Sequence, residues 1–183
     1  MSGQLLWLDM EMTGLDPAVD RVLEVAAIVT DWDFKEVGMF DSGINYAETE
    51  IAPLLDANPF YTKMSANKAA LLELCKQSPP LEAVEGQLVN FIMEHCDTGK
   101  AILLAGNSIH QDRRFVRQYM PRVEALLHYR MLDVSAWKVV FEGKYGKRYL
   151  KKEIHRALDD VRESIAELEY YLTALPATQD VEA

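Results

Sequence analysis

The apolar run Leu5-Leu6-Trp7-Leu8, which passes directly into Asp9-Met10-Glu11, constrains the fold more than any other stretch of the chain. A run this short and this apolar reads as a buried strand. Side chains two apart on a strand point to the same face, so Asp9 and Glu11 converge where the strand ends. A strand end emerging into solvent tolerates any acid. At the edge of a core, however, two neighbouring carboxylates repel each other and resist desolvation, and they stay ionised only where cations compensate them. Ligand sets made of oxygen alone favour Mg2+ or Mn2+.

Two further segments place acids in comparable settings. After the apolar run 101–105 comes Gly106-Asn107-Ser108, a turn whose Asn or Ser suits a helix N-cap, and then a helix through Tyr119. Asp112 shares one face of that helix with Phe115, Val116 and Tyr119, and so points inward. An isolated Asp near a helix start can also simply answer the helix dipole. In the helix predicted over 157–173, Leu158, Val161, Ile165, Leu168 and Leu172 form an apolar stripe. At about 100° per residue, Asp159 lies nearly opposite that stripe and Asp160 on its flank. Asp160 is therefore the better ligand candidate, and Asp159 a solvated first-turn acid. His155 just precedes this helix, from where it can sit against the same site and remove a proton near neutral pH, although a lone His often has a structural role. Asp9, Glu11, Asp112 and Asp160, with His155, read together as a two-metal phosphodiesterase site.

The remaining pattern is that of an α/β layer fold. Strand-like runs appear at 4–9, 22–31 and 34–44, with Asp31-Trp32-Asp33 as a hairpin turn. A helical pattern over 81–95 has Leu88, Phe91 and Ile92 among its apolar positions. Then follow the 101–105 strand, the Asp112 helix, a short strand near Leu132-Asp133-Val134 and the final helix. A mixed central β-sheet flanked by helices is the economical arrangement. With 183 residues, 49% hydrophobic and 26% charged, the chain can bury a sizeable core within one domain, expected over 1–175 with a frayed tail over 176–183. It enters strand sequence within a few residues, with no basic and apolar leader and no run of about 18 apolar residues. Cys75 and Cys96 form no metal-spacing motif and fit reduced thiols, so the expected setting is the cytoplasm or another reducing intracellular compartment. A net charge of -10 argues against a protein that coats long nucleic acid, though not against a short substrate. Lys144, Lys147, Arg148, Lys151 and Lys152, interleaved with Tyr145 and Tyr149, could attract a substrate phosphate; a solvated basic loop describes most of them as well.

Trp7-Leu8-Asp9-Met10-Glu11-Met12-Thr13-Gly14-Leu15-Asp16, Gly106-Asn107-Ser108-Ile109-His110-Gln111-Asp112-Arg113-Arg114-Phe115, His128-Tyr129-Arg130, Leu132-Asp133-Val134-Ser135 and His155-Arg156-Ala157-Leu158-Asp159-Asp160 closely resemble the oligoribonuclease family. These are small exonucleases of the DEDD superfamily, His-containing branch. The resemblance keeps the motif order over nearly the whole chain and is poor only over about 44–97. It implies a ribonuclease H-like exonuclease fold and a 3'-5' exoribonuclease that hydrolyses short oligoribonucleotides, especially dinucleotides, to 5'-mononucleotides. It further implies two divalent ions, Mg2+ or Mn2+, on Asp9, Glu11, Asp112 and Asp160, with His155 as general base. By the same resemblance Leu15 wedges against the terminal bases, while Ser108, Arg130 and Ser135 cap the 5'-phosphate. Arg130 suits that role because a guanidinium binds phosphate in two-pronged fashion. The implied assembly is a homodimer in which Tyr129 of one subunit reaches the substrate held by the other; a Tyr buried within its own subunit is the competing reading.

Two departures bear on the substrate. Family members place a Trp, a downstream His and a Ser-Gly pair within the segment matching 55–68, where this chain has Leu55-Asp56-Ala57-Asn58-Pro59-Phe60-Tyr61 and no His. Phe60 or Tyr61 could supply the stacking face instead, since any aromatic face can stack a base, or the loop could be remodelled. The Thr that usually follows Ser135 is Ala136 here. Short DNA oligonucleotides stay open as substrates, because nothing in the sequence unambiguously reads a 2'-hydroxyl. A nucleotide-binding protein that keeps the fold without chemistry is the alternative from another class.

Overall fold

Strands β1 (Leu5–Met12), β2 (Val22–Thr30), β3 (Glu36–Gly43), β4 (Ile102–Gly106) and β5 (Leu127–Asp133) form one sheet in the order β3-β2-β1-β4-β5. The structure is a computed structural model and describes residues 3–150 and 156–175. β1 pairs antiparallel with β2 and parallel with β4; β2–β3 is antiparallel and β4–β5 parallel, so the sheet is mixed. The helices are α1 (Glu48–Ala57), α2 (Pro59–Lys63), α3 (Ser65–Gln77), α4 (Leu81–His95), α5 (His110–Tyr119), α6 (Pro121–Glu124), α7 (Val134–Tyr145) and α8 (Ala157–Thr173). Among the described residues, no helix is long and apolar enough to cross a membrane.

The alternation of β1 assigns its two faces. Leu6, Leu8 and Met10 pack with Leu88, Phe91 and Ile92 of α4 and with Phe115 and Val116 of α5. Leu5 and Trp7 pack on the other face with Phe141 of α7 and with Val161, Leu168 and Tyr171 of α8. Covered on both sides, β2 is buried along its whole length. The continuation of the second face along β1 brings Asp9 and Glu11 to the side on which α8 lies. Gly106, at the end of β4, lies so close to β1 that a Cβ there would come within 2.8 Å of the Leu8 carbonyl oxygen, which explains a glycine at that turn.

Several element boundaries differ from those expected. β1 continues past Asp9 to Met12 because it is held by β2 through that end. The β2–β3 turn is longer than Asp31-Trp32-Asp33: Asp31 Oδ1 accepts from the N–H groups of both Asp33 and Lys35 at 2.9 Å, delaying β3 to Glu36. The strand expected near Leu132-Asp133-Val134 begins at Leu127, and Val134 already opens α7, a helix the sequence pattern did not reveal. The poorly matching segment holds α1, α2 and α3 around a small separate cluster of Leu23, Ile51, Leu55, Tyr61, Leu71 and Cys75.

Candidate active site

Asp9 and Glu11 stand on β1 where its apolar residues give way, and the first turn of α8 delivers Asp160 to the same point. One carboxylate oxygen from each of the three lies within 4.8 Å of the others, and all three side chains are half-buried. Asp159 is not in this cluster, as its angular position on the helix predicts. Asp112, in the first turn of α5, is buried at 5% exposure, and its Oδ1 accepts a hydrogen bond from the Met10 N–H at 3.1 Å. The acid from α5 is thereby fixed against the stretch of β1 that separates Asp9 from Glu11.

The electrostatics of this arrangement are unfavourable for protein alone. Burial first, then repulsion from Asp160 and Glu24, pushes Glu11 from its ordinary 4.5 up to about 8. Burial likewise raises Asp112 to about 7, against the opposing effect of its backbone hydrogen bonds. Asp9, Glu11 and Asp160, with oxygen donors only, form a donor set suited to hard divalent cations; Asp112 lies beside this group, against Met10, and is not one of the three whose oxygens converge.

The sequence reading missed the ion pair beside this cluster. Glu24 lies opposite Glu11 in the β1–β2 register and is 1% exposed. Arg156, just before α8, donates to it through Nη2 at 2.5 Å and Nε at 3.1 Å. The same guanidinium also acts to lower the Glu11 pKa. A lone acid inside the apolar run 22–29 was the available signal. His155, Lys151 and Lys152 lie outside the described residues.

A cleft of about 760 Å³ opens beside Glu11, lined also by Leu15, Val19, Leu54, Asn58 and Phe60. Leu15 is 62% exposed and Phe60 41% exposed, whereas Tyr61 is 2% exposed. The Tyr61 hydroxyl donates to the Met12 carbonyl at 2.7 Å and its ring meets that of Phe60 edge to face. Of the two aromatic candidates, Phe60 therefore offers the exposed face to the cleft, whereas Tyr61, also on its wall, is packed inward with its hydroxyl beside Glu11 and the Met12 carbonyl. The loop carrying Leu15 is braced from both sides: Arg114 Nη1 donates to the Leu15 carbonyl at 3.1 Å, and Asn58 Nδ2 to the Thr13 carbonyl at 2.8 Å.

Ser108 and Ser135 meet, with their hydroxyl oxygens 3.0 Å apart. The Ser108 N–H donates to Ser135 Oγ and to Asp133 Oδ1, and the same Asp133 oxygen accepts the Ser135 N–H at the start of α7. The expected cap of α5 by Asn107 or Ser108 is not formed. Its N-cap is Ile109 without a side-chain bond. Ser108 takes a φ of 50°, and Asn107 Nδ2 is drawn inward to Ser164 Oγ and Glu167 Oε2. Arg130 lies on β5 with its guanidinium over the Tyr129 ring, 5.4 Å from the centroid. Tyr129 is 73% exposed on an edge strand, which removes the reading of it as a core residue of its own subunit.

Comparison with known proteins agrees with this geometry. The family model RNase_T, described as exonuclease, matches residues 6–168. The chain is 44% identical over 172 residues to the oligoribonuclease of Bordetella pertussis, covering 92% of this chain and 93% of that one. It is 41% identical over 171 residues to the oligoribonuclease of Neisseria meningitidis serogroup C, covering 91% and 89%. Among solved structures, it is similar to E. coli exonuclease I in complex with a 5cy-dA13 oligonucleotide, at a TM-score of 0.65 and 16% identity over 94% of this chain. It is also similar to the zinc ion bound form of the E. coli ExoI–ssDNA complex, at a TM-score of 0.70, 16% identity and 95% of this chain. The chain spans 40% and 41% of those longer structures, and at such identity the likeness speaks for the fold alone.

Proposed function

The chain belongs to the oligoribonuclease family of metal-dependent 3'-5' exonucleases, and on that premise we propose that it shortens oligoribonucleotides of a few residues, dinucleotides above all, to 5'-mononucleotides. The observation that carries this reading is the convergence of Asp9, Glu11 and Asp160 beside an open cleft, with Asp112 fixed against the same stretch of β1. In our reading these four acids hold two divalent ions, Mg2+ or Mn2+. When bound, the ions supply the positive charge that a phosphodiester and its leaving oxygen require in the transition state.

The chain's own residues supply the rest. Leu15 and Phe60, exposed on the cleft, hold the terminal bases. The paired hydroxyls of Ser108 and Ser135, with Arg130, receive the 5'-phosphate and so favour short strands. His155, assigned by its place in the family motif, takes the proton of the attacking water. The assembly in this proposal is a homodimer, supported by the exposure of Tyr129, and its setting is the cytoplasm. We assign the exonuclease domain to 1–175; the segment 176–183 lies outside the described residues.

A length series of 5'-phosphorylated RNA and DNA, from two to about seven nucleotides, tests the reading at matched Mn2+ concentration. The expected result is the highest kcat/KM on RNA dinucleotides and no turnover in excess chelator. Equal turnover of long strands would overturn the length assignment, equal turnover of DNA the preference for RNA. Tight binding without release of mononucleotide would mark a binding protein.

A further inference from the structure

We propose that Asn58 is a positioning residue that sets the spacing of the base slot between Leu15 and Phe60. The proposal rests on the reading of the cleft as the site of the substrate's bases. Asn58 occupies the junction of α1 and α2 in extended backbone, and both ends of its carboxamide are in use. Oδ1 accepts the Phe60 N–H at 3.0 Å, capping α2, and Nδ2 donates to the Thr13 carbonyl at 2.8 Å. One planar group thus ties the wall that carries Phe60 to the loop that carries Leu15.

The loop does not need Asn58 to fold. Thr13 Oγ1 donates to Asp20 Oδ1, the Asp16 N–H to Asp20 Oδ2, and the Arg21 N–H to Thr13 Oγ1. The Tyr119 hydroxyl donates to the Asp20 carbonyl, and Arg114 to the Leu15 carbonyl. Loop 13–21 is therefore a braced unit, anchored to α5 through Tyr119 and Arg114. Among the described residues, side-chain bonds tie it to the α1–α2 wall at three points: Arg21 Nε to Glu50 Oε1 at 2.9 Å at the far end of the loop, the Tyr61 hydroxyl at the strand end, and the Asn58 carboxamide nearest Leu15. Loss of the Asn58 tie leaves both walls folded and loosens their separation at the Leu15 end. A base held between two walls feels that separation in its affinity, whereas the acids at the end of β1 are unaffected.

Only an amide matches this pair of partners. The Phe60 N–H demands an acceptor and the Thr13 carbonyl a donor, a requirement that also fixes which way the carboxamide faces. Asp would keep the helix cap and set an acceptor against the Thr13 carbonyl. Ser would keep a capping oxygen on too short a side chain to make both bonds.

Steady-state kinetics on an RNA dinucleotide with Mn2+, for Asn58→Asp, Asn58→Ser, Leu15→Ala and the double variants with Leu15→Ala, test the proposal. Asn58→Asp and Asn58→Ser should each raise KM by up to about tenfold, the scale of one net hydrogen bond, and leave kcat within about twofold and the melting temperature nearly unchanged. In the Leu15→Ala background the Asn58 substitutions should have no additional effect, because one wall of the slot is already gone. Multiplying effects in the double variants, or a fall in kcat at unchanged KM, would overturn the proposal. Should Asn58→Asp not fold, Asn58→Ser decides alone. An unchanged KM for Leu15→Ala itself would instead refute the base-site reading, so the two failures are distinguishable.

Discussion

The N–H of Met10 donates to Oδ1 of Asp112 at 3.1 Å, so a carboxylate of α5 is hydrogen-bonded to the residue that separates Asp9 from Glu11 on β1. The bond makes Asp112 a tie between helix and strand, and in the proposed reading Asp112 is also a metal ligand. Asn offers the same acceptor without the charge. Asp112→Asn should therefore keep the fold and lower turnover by about 10²- to 10³-fold or more, the scale of losing one preorganised electrostatic contact. Asp112→Ala should lose turnover too, and also leave the Met10 N–H buried without that acceptor, costing about 1–3 kcal/mol. Thermal melts alongside single-turnover rates separate the two losses; a Asp112→Asn variant with unchanged turnover would remove Asp112 from the metal assignment.

The raised carboxyl groups make a pH prediction with a definite sign. Glu11 moves from 4.5 to about 8 and Asp112 from 3.8 to about 7, chiefly through burial. Over that window the folded, metal-free chain retains protons that the unfolded chain has released, so its stability falls as pH rises. A divalent ion favours the ionised carboxylates and reverses the trend. Melts in chelator at about pH 5.5 and about pH 8.5 should show the lower transition at the higher pH, and the upward shift produced by Mn2+ should grow with pH. A metal-induced shift that shrinks with rising pH would contradict the assignment of these acids as ligands.

Asp9, Glu11 and Asp160 were legible in the sequence because periodicity alone fixes their direction: two residues apart on a strand, and on the flank of a helical stripe. Glu24–Arg156 was not, since a charge inside an apolar strand is readable but its partner, 132 positions away, is not. The region of α1–α3 was opaque for a different reason. Its buried side chains are few, a single pair four apart in α1 (Ile51, Leu55) and another in α3 (Leu71, Cys75), and Pro53, which reads as a breaker, lies inside α1. That opacity is why Phe60 and Tyr61 could not be told apart before the fold left the first exposed on the cleft and packed the second into its wall. Asn107 and Ser108 were misread as caps because local turn chemistry was outweighed by contacts with α8 and α7 made through the tertiary fold.

The two neighbouring aromatic residues should separate cleanly on substitution. Phe60→Ala removes an exposed stacking face and should cost about 1–3 kcal/mol in kcat/KM with little change in melting temperature. Tyr61→Phe removes the hydroxyl from the Met12 carbonyl and should cost about 1 kcal/mol of stability, seen in denaturant titration, with a smaller kinetic effect. An unchanged kcat/KM for Phe60→Ala would remove the stacking role from Phe60.

The exposed ring of Tyr129 gives the subunit prediction. Mass in solution should be that of a dimer at assay concentration. Asp112→Ala and Tyr129→Ala subunits, each inactive alone, should regain activity when mixed, since one site of the mixed dimer has its own acids and its partner's Tyr129. No recovery despite demonstrated exchange of subunits would count against Tyr129 acting across the interface, and a fully active monomer would exclude the arrangement.

β1 is bordered by β2 along its length and by β4 over Leu5–Trp7, the stretch that leads into Asp9 and Glu11. No edge of the sheet can peel away to release that stretch first. Amide hydrogens of Trp7 and Leu8 should therefore exchange with solvent only through global opening, even in chelator, while those of the outer strands β3 and β5 exchange through smaller fluctuations. The acids themselves stand on three elements, the far end of β1, α5 and α8, so heat inactivation that ran ahead of the melting curve would mark α5 or α8 moving before this inner stretch of the sheet opens.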